Sequence, residues 1–183
     1  MSRQQQLLAE VAATTERRVL GLWRQHEAGQ IPAGALTLYV AAAIAAGNTM
    51  ATATADVAVA ALAARYAARP VSLTAPIDPP RHAVDADRLA RAAATATDGD
   101  SALTPQVRLS ILARTEVLTT AQDVTGDAIA AQELGWVRVT DPDPCEFCRG
   151  WADGKVRPAS VRMNRHHACA CIQEPAQLPT RPR

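Results

Sequence analysis

Cys145-Glu146-Phe147-Cys148 is followed, after a gap of seventeen residues, by His166-His167-Ala168-Cys169-Ala170-Cys171. Thiolate and imidazole are zinc ligands, and a two-residue gap lets one turn aim both members of a pair at one ion. Two such pairs around an intervening loop have the spacing of a structural zinc site. Cys145 and Cys148 form the first knuckle. His166 and Cys169 repeat its gap and are the preferred second pair, with Cys171 as the alternative ligand. His167, one residue nearer to Cys169, would need a tighter turn. The implied cofactor is Zn2+. With four protein ligands the ion keeps no open position for water or substrate, so the site is expected to be structural and the chain non-catalytic.

Other cysteine chemistries fit less well. Disulfides need an oxidising compartment. Met1-Ser2-Arg3-Gln4-Gln5-Gln6 lacks the basic start and apolar run of a secretory signal, so export is not expected. A redox Cys-x-x-Cys opens a helix after a strand in a βαβ unit, and nothing here alternates that way. A zinc deaminase shares the Pro144-Cys145-x-x-Cys148 string but needs an upstream His-x-Glu. His82 is followed instead by Ala83 and Val84. His-Glu-x-x-His, Gly-x-Ser-x-Gly and phosphate-cradling glycine loops are also missing.

The elements that must position these ligands are mainly helical. With 183 residues the chain has room for one domain, or for helices plus a small module, but not for a large multidomain enzyme. Alanine carries much of the 48% hydrophobic content while aromatics make up 3%, so the core should be thin and built from closely approaching helices. Nineteen basic against eighteen acidic residues leave a net charge of +1, which excludes a chain-wide nucleic-acid signal.

Leu8, Val11, Val19, Leu22 and Trp23 recur at helical spacing between Ser2, a capping residue, and Gly29. His26 near that end complements the helix dipole. A second helix is expected over Ala33–Ala68, broken or bent at Gly47-Asn48, with Tyr39 and Tyr66 as packing anchors. Its surroundings, Ala28 to Ala55, carry no charge. Gln30, Pro32, Asn48 and the threonines, with alanine a weak driver of insertion, favour a packed helix, and no membrane span is expected.

Prolines 70, 76, 79 and 80 predict an extended linker, with His82 a lone loop histidine. Asp85 to Thr97 reads as a short helix ended by Asp98-Gly99-Asp100. Thr104 and Pro105 then open a longer one, with Val107, Ile111, Leu118, Thr125 and Ile129 on one face and Gly135 to end it. Trp136 to Thr140 alternates as a strand. The fold class is therefore mainly α: long Ala-rich helices followed by a small α+β, zinc-stapled carboxy-terminal module. The expected organisation is a helical region over 1–69, a linker over 70–84, the metal module over 85–173 and a flexible tail over 174–183. Phe147, Trp151, Val156, Val161, Met163 and Ile172 are too few to order the cysteine-bearing stretch unaided, and a metal supplies what they lack.

From about Ala113 to Ile172 the chain resembles the phage Mu F-like minor head protein, or head-morphogenesis, family. The resemblance rests on Arg114-Thr115-Glu116, Gly135-Trp136 before a strand, Cys145-x-x-Cys148, Asp153-Gly154 and His166-x-x-Cys169-x-Cys171. Met163-Asn164 stands where the family usually has Pro-Pro, and Ala170 where it has arginine. The resemblance implies a minor component of a tailed-phage head, in the virion interior or portal region and in host cytoplasm during assembly. Its implied partners are the portal protein or the major capsid protein, during assembly and DNA packaging or ejection. Arg114 and Glu116, unable to pair with each other, are expected to tie their helix to the zinc module. Trp136 is expected to act as a hydrophobic lid.

Packaged DNA is the rival partner. From Arg149 onward seven basic residues face two acidic ones. Arg149, Lys155, Arg157, Arg162 and Arg165 are candidate phosphate contacts of a zinc-stabilised DNA-binding module. Few aromatics are available to stack on bases.

Overall fold

The computed structural model describes residues 2–65, 78–98 and 101–179. Tyr66, Pro70, Pro76, Gly99, Asp100, Arg181 and Arg183 lie outside the described residues. The first helix, α1 (Arg3–Glu27), starts where expected. Ser2 Oγ accepts from Gln5 N and Gln5 Oε1 accepts from Ser2 N, a reciprocal capping box. At its other end His26 Nδ1 lies 2.8 Å from the Ile31 carbonyl.

The second helix, α2 (Ala33–Ala63), runs unbroken through Gly47-Asn48, where a break or bend was expected. The glycine serves proximity. A Cβ there would overlap Thr15 Oγ1 of α1 and lie 3.0 Å from Val117 Cγ2 of the fifth helix, so three helices meet at this point. Asn48 is fully buried and its Nδ2 donates to the Ala83 carbonyl. By length and composition α2 could cross a membrane. In this fold Leu36, Val40, Ile44, Thr52 and Val59 on it are buried, while Tyr39, expected as an anchor, is 52% exposed.

Arg81–Val84, expected as linker with a lone loop histidine, form a single-turn helix, α3, and His82 Nε2 stands 3.7 Å from Asp123 Oδ2. Asp85 accepts from Arg88 N and so caps α4 (Ala86–Asp98). Thr104 caps α5 (Pro105–Ala131), with Pro105 in its first turn. That helix ends before Gly135. Glu133 takes the left-handed conformation at φ 54°, and Gly135 opens a strand.

Because α5 packs against α1, α2 and α4, it is buried on more than one side. The single predicted face was therefore too narrow. Leu109, Ala113, Val117, Leu118, Val124 and Ile129 are buried, while Val107 at its start is 42% exposed. The helices on either side of the proline-rich stretch share one core, in which Val19, Leu36 and Ile44 meet Leu89 and Leu109.

The carboxy-terminal part adds β1 (Gly135–Val139), α6 (Glu146–Trp151), β2 (Arg157–Pro158) and β3 (Ile172–Ala176). They form an antiparallel sheet in the order β2-β1-β3, with Trp136 opposite Pro175 and Val139 opposite Ile172. Glu174 to Ala176, expected in a flexible tail, belong to β3, because the whole length of β1 offers them pairing partners. Gln5 Nε2 donates to the Thr140 carbonyl at 2.8 Å, and Ile172 is buried with Leu8 and Val117, so the sheet is docked on the helices.

Candidate metal centre

Local chemistry shapes the first knuckle. Cys145 is the N-cap of α6, and its sulfur accepts from Cys148 N at 3.5 Å, as a capping oxygen would. One turn of helix then brings Cys148 back to the same side. The second knuckle is a tight turn in which Cys169 N donates to the His166 carbonyl, with Ala168 at φ 53°.

The five predicted donors come together. Cys145 Sγ and Cys148 Sγ each lie 3.1 Å from His166 Nε2, and Cys148 Sγ is 3.7 Å from Cys169 Sγ. They form two overlapping triads, Cys145-Cys148-His166 and Cys148-Cys169-Cys171, which share Cys148. Zn–S bonds of about 2.3 Å in a tetrahedron place sulfurs about 3.8 Å apart, so the Cys148–Cys169 edge fits that ion. His166 Nδ1 donates to the His167 carbonyl at 2.9 Å, which leaves the Nε2 lone pair facing the sulfurs. His167 stays out of both triads.

The protonation pattern expresses the same need for a cation. Burial pushes the Cys148 thiol up to about 11. Its hydrogen bond with Cys169, then burial, raises Cys171. Cys169, chiefly through that bond with Cys171, is held down to about 4. Thiolates this close repel one another, and a divalent ion between them would offset that repulsion. The cluster fits a zinc site, with Cys145, Cys148, His166 and Cys169 or Cys171 as its holders.

Around it stands a set of polar residues that the spacing of cysteines could not announce. Gln122 of α5, 6% exposed, donates through Nε2 to the carbonyls of Cys169 at 2.8 Å and Cys171 at 2.9 Å. A glutamine on the apolar face of a helix was the available signal. Thr115 Oγ1 accepts from Ala168 N at 3.0 Å. Arg138 of β1 lies 8% exposed beneath Trp151, 5.2 Å from its ring centroid, directs Nη1 at Cys148 Sγ and donates through Nη2 to the Asn164 carbonyl. Burial raises the carboxyl of Asp141, whose Oδ1 has no partner among the described residues and which senses Cys169 and His166.

Partners of this kind orient metal ligands, and losing one costs about 10- to 100-fold in affinity. Gln122→Leu is therefore expected to weaken zinc binding by about that factor, measured by competition with a chromophoric chelator. Unchanged affinity would show that the two carbonyls hold their place without it.

Arg114 and Glu116 do not reach the module, contrary to expectation. Arg114 pairs with Glu16 of α1 at 3.1 Å, and Glu116 takes a bidentate bond from Arg88 of α4 at 2.8 and 2.7 Å. Two steps along a helix turn about 200°, so they tie α5 to opposite neighbours and Thr115 between them faces the knuckle. Trp136 is the residue expected to act as a hydrophobic lid. It is 2% exposed over Ile129 and Met163, and its Nε1 donates to the Val161 carbonyl at 2.9 Å.

Among the candidate phosphate contacts, Arg157 is taken by Asp153 at 2.8 and 3.0 Å, Lys155 lies 3.7 Å from the same carboxylate, and Arg165 bonds Asp123 at 2.7 Å. The bond from Arg157 holds the Asp153 carboxyl below its ordinary range. Gly154 beside it adopts φ 69°, which makes the Asp-Gly turn. Arg149 and Arg162 are exposed with no ion pair among the described residues.

A family model described as VG15 protein matches residues 1–180 of the chain. No curated protein and no solved structure matches it.

Proposed function

The chain belongs to the VG15 protein family, a phage-associated family of viral proteins, and from that premise we propose that it is a non-catalytic minor capsid protein of the Mu F-like, head-morphogenesis type. It associates with the portal protein or the inner face of the major capsid shell during assembly and DNA packaging or ejection. The observation that carries this reading is the cluster itself. Cys145, Cys148, His166, Cys169 and Cys171 follow the order of the head-morphogenesis motif and form two triads that share Cys148 beside α5.

In this reading zinc is a staple. Cys145, Cys148, His166 and Cys169, with Cys171 as the alternative, would fill its coordination and leave no position for a substrate. Helices α1, α2 and α5 form the body, with α2 a packing helix and not a membrane span. A role as a DNA-binding module has less support, because three of its five candidate cations are already paired with carboxylates.

The test is copurification. The protein is expected to sediment with assembled heads and to bind purified portal or major capsid protein in the virion or in host cytoplasm. Absence from heads together with no binding to either protein overturns the proposal. Tight binding to duplex DNA that falls steeply with salt would favour the DNA-binding alternative.

A further inference from the structure

A groove of about 680 Å³ lies between the first turns of α1, the last turns of α2 and β3. Leu7, Val57, Leu62 and Ile172 help to line it, with Leu7 39% and Val57 59% exposed. It is a concave apolar surface of the size that takes a ligand.

Gln4 also lines this groove. It is 5% exposed, and both Nε2 and Oε1 of its side chain are buried with no hydrogen-bond partner among the described residues. Its neighbour Gln5 spends its own amide on Ser2 N and on the Thr140 carbonyl, so the local backbone does supply partners where the fold calls for them. A buried donor and acceptor left unpaired are a net cost to the folded chain, and such groups are rare in native proteins. Something beyond the described residues is the simplest partner.

We propose that the groove binds an apolar peptide segment of another protein, flanked by acidic residues, with a backbone peptide group pairing with the Gln4 carboxamide. A carboxamide offers one donor and one acceptor side by side, the complement of a peptide group. A fatty acyl chain would satisfy neither. The acidic flanks follow from the rim, where Arg3 and Arg65 face the single carboxylate of Glu174. The first turn of α1 holds no acidic residue, so the positive end of that helix dipole adds to the rim potential. The site uses no residue of the metal centre, and the proposal does not depend on the ion.

The probes are labelled hexapeptides of leucine and alanine, flanked by aspartate or by lysine, and an aspartate-flanked version with N-methylated backbone. Binding to the intact protein is read by fluorescence anisotropy. The aspartate-flanked peptides are expected to bind, with lysine flanks and N-methylation each weakening affinity at least tenfold. Gln4→Met is expected to weaken binding tenfold while raising the urea midpoint of the free protein, since it removes the unpaired amide. Val57→Asp, at an exposed position, should abolish binding without changing the fold. The proposal is overturned if no aspartate-flanked peptide binds at millimolar concentration, or if Gln4→Met lowers the urea midpoint. Dodecanoate binding with no peptide competition, or occupation of the groove by a second copy on dimerisation, overturns it equally.

Discussion

Cys148→Ser is expected to empty the metal site and unfold the module around it. Cys148 belongs to both donor triads, so its removal breaks both at once and leaves each with only two donors. Few large apolar side chains order this region. Of the large apolar residues counted on to support it, Met163 and Ile172 are buried, whereas Phe147 is 69% exposed and Val161 43% exposed. Structural zinc contributes on the order of 10 kcal/mol to folding in small modules, more than those two side chains supply. Wild-type protein purified without chelator is expected to carry one zinc per chain and the variant none. The near-ultraviolet circular dichroism of Trp151 and Trp136 should collapse in the variant and, on chelation, in wild type. A variant that keeps its zinc, or a metal-free protein with an unchanged spectrum, would refute the staple. Cys169→Ser and Cys171→Ser made in parallel identify the fourth ligand, because replacing that residue alone should match Cys148→Ser.

Trp136→Ala is expected to cost about 3–5 kcal/mol of stability, the range for emptying a large aromatic site. Trp136 is the largest side chain among Val59, Ala128, Ile129 and Met163, where α2, α5, β1 and the loop before the second knuckle converge. Its removal also leaves the Val161 carbonyl without its donor. Arg157, whose guanidinium carbon lies 5.7 Å from the ring centroid, loses its platform as well. Trp136→Phe keeps most of the apolar contact and loses the hydrogen bond, so it should cost nearer 1–2 kcal/mol, about the worth of that bond. Equilibrium urea unfolding measures both. Equal, small losses for the two variants would mean that the ring is not a lid on the core. Zinc content should be retained in Trp136→Phe, which separates packing from coordination.

Local chemistry was legible in the sequence, and long-range partnership was not. Ser2, and Thr104 with Pro105, announce helix starts because a cap is made within four residues. Cys145-x-x-Cys148 and His166-x-x-Cys169 announce a metal site because each pair is set by a single turn. Nothing within a few residues of Gly47 reveals that it marks a three-helix contact in place of a break. Nor could spacing show that Glu116 answers Arg88, or that Arg114 answers Glu16.

From its sequence alone this protein was determined to be a mainly helical chain with a thiolate and imidazole cluster near its carboxy end, since residue type and short-range periodicity are enough for both. Tertiary structure alone decided that both sides of the proline-rich stretch share one core. It also decided that residues 174–176 pair with β1, and that Gln122, Thr115 and Arg138 brace the cluster. The physical reason is that a hydrogen bond or a buried contact between distant segments depends on where the whole chain places them, and no local pattern encodes that distance.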